Sequence, residues 1–156
     1  MKTNALRLLS AAGISYTVKE YPVDESDLSA LHVVNLLDIP ADQVFKTLII
    51  QGVSGSYAVC CIPASSELDL KKAAKALGEK SCSLIPVKDI LPVSGYVRGG
   101  CSPIGMKKQY PTFIDETALL FDTIAVNSGE RGALILIAPD ELACFINASF
   151  TDLTIR

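Results

Sequence analysis

The 156-residue sequence predicts an α/β fold with a mixed sheet. Val44-Phe45-Lys46-Thr47-Leu48-Ile49-Ile50 and Ser56-Tyr57-Ala58-Val59-Cys60-Cys61-Ile62 are runs of β-formers on either side of Gly52-Val53-Ser54-Gly55, the strongest hairpin signal in the chain. Elsewhere, strand-like runs are separated by helical periodicities. The clearest is Asp69 to Leu77, where Leu70, Ala73, Ala74 and Leu77 recur at helical spacing and Gly78 ends the run. Hairpins combined with helix-separated strands call for antiparallel and parallel neighbours together. No linker, repeat or low-complexity tract divides the chain, so residues 1–156 read as one domain.

In order, Asn4 to Ala12 forms a first helix, with Thr3 or Asn4 as N-cap and Gly13 as its stop. Ser15 to Tyr21 alternates as a short strand before Pro22. A second helix is expected over Ser29 to Leu37, with Leu31, Val34 and Leu37 on one face. Both hairpin arms read as buried on two faces. After the helix over Asp69 to Leu77 come a short strand at Cys82 to Ile85 and a helical turn at Val87 to Leu91. Strands at Thr112 to Ile114 and Thr123 to Val126 flank a short helix at Thr117 to Phe121, and Leu134 to Ile137 is a further strand. Pro139 then opens a last helix to about Asn147, its first-turn acidic residues complementing the helix dipole.

With 49% hydrophobic and 20% charged residues, the chain can bury a substantial core. Fourteen basic against seventeen acidic residues give a net charge of -3, so no global attraction to DNA or RNA is expected. Local candidates are Lys71, Lys72, Lys75 and Lys80 around one predicted helix, equally readable as a solvated face, and Lys107 with Lys108. No leader-like segment or membrane-length apolar run stands out, which predicts a soluble, cytoplasmic protein. The five cysteines form no Cys-x-x-Cys pair and are expected mostly as buried thiols. His32, the only histidine, has no metal-ligand pattern around it. No metal is therefore expected.

Arg98-Gly99-Gly100-Cys101-Ser102-Pro103-Ile104-Gly105-Met106-Lys107-Lys108 is a glycine-rich stretch that reads either as a binding loop or as a tight turn between core elements. It matches neither the phosphate-binding loop nor the dinucleotide fingerprint, so no nucleotide cofactor is expected. Lys46 stands in an apolar strand, where a buried ammonium needs a partner or a wet pocket; an edge or snorkelling lysine is the other reading. Asn127-Ser128-Gly129-Glu130-Arg131-Gly132 is a polar turn that could equally be a plain hairpin connection.

Four segments together, Val44 to Leu48, Leu68 to Gly78, Gly99 to Gly105 and Ser128 to Gly132, resemble the YbaK/EbsC family of aminoacyl-tRNA editing domains, and the likeness covers nearly the whole chain. The resemblance implies a barrel-like mixed sheet surrounded by helices, and hydrolysis of mischarged aminoacyl-tRNA, foremost Cys-tRNA(Pro), without a cofactor. Its implied partners are tRNA(Pro) and prolyl-tRNA synthetase. Carried over by motif, the essential lysine falls on Lys46, the pocket tyrosine on Tyr21 and the loop glycine on Gly100 or its immediate neighbour. Gly99, Cys101 and Ser102 of the loop and Gly129 of the turn are assigned to the same pocket. The family's pocket serine aligns with Asn127, with Ser128 one residue later, and Lys107 and Lys108 are assigned to tRNA. The resemblance further implies that the substrate's own thiol attacks its ester. A deacylase for another small amino acid such as alanine, or a non-catalytic tRNA- or synthetase-binding module, are the alternatives.

Overall fold

The computed structural model describes residues 3–156. Three of its helices begin on a side-chain cap. The Thr3 hydroxyl accepts the Leu6 N–H at the start of α1 (Asn4–Ala11), and Ser29 caps α2 (Ala30–Leu37), which ends on left-handed Asp38. Asp69 accepts two amides at the start of α3 (Leu70–Leu77), and Gly78 ends that helix at φ 81. A short α4 (Ile90–Ser94) follows a 3-10 turn at Val87–Asp89, and α5 (Pro139–Ile146) carries Pro139 in its first turn. The phase of α2 differs from the expectation: Val33 is buried, while Leu31 is 51% exposed. Val34 and Leu37 pack partly, so the apolar stripe is centred one residue away from where Leu31 suggested.

The strands are β1 (Thr17–Glu20), β2 (Phe45–Gly52), β3 (Tyr57–Pro63), β4 (Cys82–Leu84), β5 (Thr112–Asp115), β6 (Ile124–Asn127), β7 (Ala133–Ile137) and β8 (Ser149–Thr151). They form a three-stranded sheet, β1-β7-β6, and a five-stranded sheet, β4-β2-β3-β5-β8. The hairpin pairs Phe45 with Pro63 through Gln51 with Tyr57, whereas β3–β5 and β5–β8 are parallel. The sheet is therefore mixed. It does not close into a barrel: among the described residues the ladders of the two sheets are joined by a single parallel bridge, between Val44 and Ala125.

Alternation along β3 explains its uniform burial. Val59 and Cys61 enter the core shared with α1, α5 and the three-stranded sheet, while Ala58, Cys60 and Ile62 enter a second core with Ala73 of α3. A third cluster packs Val33 of α2 on Val44, Ala125 and Leu134. The wholly buried Asp115 carboxylate accepts the Leu153 N–H at 2.9 Å and the Thr117 hydroxyl at 2.6 Å, strapping the segment after β8 to the sheet. Only Cys60 and Cys61 are fully buried; Cys82 and Cys101 are partly exposed and Cys144 exposed, which corrects the expectation that most of the thiols are buried.

Candidate active site

The site lies where β2 lacks a neighbour. The hairpin register, with Gly52 N–H donating to Ser56 and Ala64 N–H to Val44, directs the peptide groups of even-numbered β2 residues at β3. Those of odd-numbered residues face outwards. On that outer side Ile49 C=O accepts the Ile85 N–H at 3.1 Å and Gln43 C=O accepts the Ala125 N–H at 3.0 Å. Residue 87 would face Thr47 in the β2–β4 register, but Pro86 turns the chain away into a 3-10 turn. Beyond those bonds no strand pairing among the described residues reaches Thr47 on this outer side, and no loop amide or side chain bonds its main chain.

The glycine-rich segment covers this gap. Val97 to Gly100 is a tight turn: Gly100 N–H donates to Val97 C=O at 3.0 Å, and Gly99 takes φ +86 at its third position, which only glycine accommodates freely. Two side chains of the β6–β7 turn hold it. Asn127 Nδ2 donates to Gly99 C=O at 2.7 Å and Arg131 Nε to Arg98 C=O at 2.8 Å, while Asn127 Oδ1 accepts the Gly129 N–H. The loops are so close that a Cβ on Gly100 would lie 2.9 Å from the Glu130 backbone. Arg131 also reaches Glu25 at 3.9 Å, and Leu28, from the same connection before α2, packs on Gly99.

Between these parts is a cavity of about 210 Å³ walled by Leu28, Ala30, Val33, residues 44–48 of β2 and its approach, Gly99, Cys101, Asn127 and Leu134. Lys46 brings the one ammonium into that lining. Burial holds its pKa below the ordinary lysine value, and the negative charge of Glu67 opposes that shift. Burial pushes the Cys101 thiol up to about 11, so it is neutral at physiological pH. A neighbouring cavity of about 140 Å³ shares Thr47, Leu48 and Cys101 with the first.

Of the residues named from sequence, Lys46, Gly99, Cys101 and Asn127 come together in the lining. Gly100 sits behind it with its N–H committed to the turn; the next amide, on Cys101, has no partner among the described residues. Tyr21 packs on the cluster containing Val33, Val44 and Leu134, behind the wall. Ser102 and Ser128 are wholly buried and outside the lining: the Ser102 hydroxyl accepts the Ile104 N–H, and the Ser128 hydroxyl lies 3.5 Å from Glu130 C=O. Gly129 packs beside the Tyr96 ring. Lys107 and Lys108 are exposed outside the lining, Lys107 along Gly95 and Lys108 at a separate cavity with Leu8, Met106 and Phe145. The walls supplied by Leu28, Ala30 and Val33, and the clamp by Arg131, were not foreseen. An apolar residue facing a cavity has no mark in sequence that separates it from one facing the core.

Among the described residues no group of three or more His, Cys, Asp and Glu side chains is placed to hold a metal, and no helix is long and apolar enough to cross a membrane. His32 lies outside the lining, 4.0 Å from Asp24 and 3.8 Å from Asp27.

Over its full length the architecture matches a crystal structure titled as a candidate trans-editing enzyme for prolyl-tRNA synthetase, at TM-score 0.84 and 23% identity with 100% of both chains covered. In sequence the chain is 41% identical over 155 residues to EbsC of Enterococcus faecalis, named as a candidate Cys-tRNA(Pro)/Cys-tRNA(Cys) deacylase, covering 99% of this chain and 94% of that protein. A proline–tRNA ligase of Fervidobacterium nodosum is 32% identical over 79 residues, 51% of this chain and 14% of the ligase. Residues 27–145, which hold the β2 gap, the glycine turn and its clamp, match the model of the aminoacyl-tRNA editing domain, and the chain belongs to that family.

Proposed function

We propose that the protein removes cysteine from Cys-tRNA(Pro) in trans, with the thiol of the bound cysteine as the attacking group. The coarser activity, hydrolysis of an aminoacyl-tRNA ester, rests on the family and on the relative named as a deacylase. The observation that carries the finer reading is the composition of the cavity. It holds a half-buried lysine and an unpartnered amide on Cys101, and no serine–histidine or cysteine–histidine pair. Cys101 is a neutral thiol without a base, and the nearby serine hydroxyls are spent inside their own turns.

An aminoacyl ester is already activated, so orientation and stabilisation of the oxyanion are what the protein must supply. In the proposed reaction the substrate sulfur bonds to its own carbonyl carbon. The ester C–O bond breaks, and the terminal ribose oxygen leaves with the proton that the thiol gives up. Water then opens the cyclic thioester to free cysteine. Lys46 and the Cys101 N–H stabilise the negative oxygen, and the small apolar cavity selects a small side chain. Such a second site is needed because a synthetase gains only about 1–3 kcal/mol from one methylene.

The partner is tRNA(Pro), with prolyl-tRNA synthetase as the source of the mischarged product; the similarity to part of a proline–tRNA ligase supports that pairing. Its place of action is the cytoplasm, where charged tRNA is made. The deciding experiment follows release of cysteine, alanine, serine and proline from charged tRNA(Pro). Cysteine should leave much faster than serine, its oxygen analogue. Preferential release of alanine would replace this reading with alanine editing, and equal rates for cysteine and serine would discard the substrate-thiol route.

A further inference from the structure

We propose that the aminoacyl residue of the substrate pairs with Thr47 as a one-residue β-strand, its α-amino group donating to Thr47 C=O and its ester carbonyl accepting the Thr47 N–H. This rests on the deacylase reading above and specifies how the site holds its substrate.

The vacancy is built by the strands themselves. Thr47 presents both peptide groups to the side opposite β3, flanked by the Ile49–Ile85 bond and the Gln43–Ala125 bond. Its natural ladder partner is lost because Pro86 diverts the chain. Thr47 also lines both cavities, so this pair of unspent groups opens onto the space assigned to substrate. In an antiparallel hydrogen-bonded pair two residues exchange both bonds, and an α-amino ester offers the matching donor and acceptor in the same order.

The pairing has a direction. A guest that continues the register of β4 has its amino side towards Ile85 and Pro86 and its ester side towards the Val44 end of β2. Ile85, which lines the neighbouring cavity, stands on the side of the guest's nitrogen, so the pairing favours a free amine over an acylated or peptidyl one. Main-chain recognition reads only the features common to all α-amino acids. Side-chain choice is left to the cavity wall.

The test measures kcat/KM for Cys-tRNA(Pro), its N-acetyl derivative and 3-mercaptopropionyl-tRNA(Pro), which lacks the amino group but keeps the thiol. Each is normalised to its own enzyme-free hydrolysis, because the ammonium also activates the ester. We expect both analogues to be cleaved at least about tenfold less efficiently. Thr47→Pro deletes the N–H without removing a β2–β3 bond and should lower kcat on the order of 10². Equal normalised rates on the three esters would overturn the pairing while leaving the deacylase intact, and they decide the matter even if Thr47→Pro does not fold. Absence of any acceleration on Cys-tRNA(Pro) overturns the deacylase reading and this inference with it.

Discussion

Lys46 is the residue at which stability and function oppose each other. Its ammonium is held partly out of water, and the charge of Glu67 acts in its favour. Lys46→Ala should lower kcat by about 10² to 10³ while leaving tRNA affinity nearly unchanged, as single-turnover rates and filter binding would reveal. Lys46→Met, which keeps the packing and drops the charge, should melt at a higher temperature than the parent and be equally inactive. The sign with pH follows from the lowered lysine pKa. Between the folded value and the ordinary one the unfolded chain binds more protons, so this residue makes stability rise with pH across that window, and its cost is present in full below it. The Lys46→Met melting curve should lack that contribution. Cys101→Ser should change turnover little, since its thiol stays neutral. Lys46 was legible in the sequence because a charge among β-formers has to be answered. The open amide of Thr47 was not, since whether a strand's peptide groups are paired depends on Pro86 and Ala125, far along the chain.

At the scale of elements, the cavity roof is a turn held by another turn. Asn127 and Arg131 take consecutive carbonyls of the glycine loop, and Gly100 leaves no room for a side chain. Gly100→Ala must push the two loops apart, because the atoms it meets are backbone; we expect a loss of about 1–3 kcal/mol in denaturant unfolding and a fall in kcat. Arg131→Lys keeps the charge but cannot reproduce the Nε bond to Arg98, and should raise KM with little change in Tm. Caps and glycines made α1, α2, α3 and the hairpin readable to within a residue or two, since each boundary is set by local hydrogen bonds. The stripe of α2 was misphased because Leu31 is as apolar as Val33, and only the position of the three-stranded sheet decides which one is covered. β8 went unforeseen: three residues carry no periodicity, and their pairing is parallel to a strand 36 residues away at Phe113 and Ser149. Asn127 was named for substrate, but both ends of its amide hold main chain, so its contribution includes keeping the roof in place.

For the whole molecule, a net charge of -3 leaves tRNA attraction to local lysines. Affinity should fall as salt rises, and the double change Lys107→Ala and Lys108→Ala should flatten the log–log salt dependence by about 1 to 2 while sparing kcat. A flat response in the parent would transfer tRNA capture to a partner such as the synthetase. Chelators should leave deacylation untouched, because the cavity's Lys46, Asn127 and Cys101 do not make a metal ligand set. The strap at Asp115 bears on how the protein comes into being. Its carboxylate is covered only when Leu153 arrives from 38 positions further along, and β5 gains its second neighbour from β8 at the same stage. A nascent chain that has not yet extruded those residues holds an acidic group in an unfinished core, so native closure has to wait until residues 149–154 leave the ribosome. A protein proposed to guard the accuracy of translation is thus itself exposed to errors of its own synthesis until its last strand is in place.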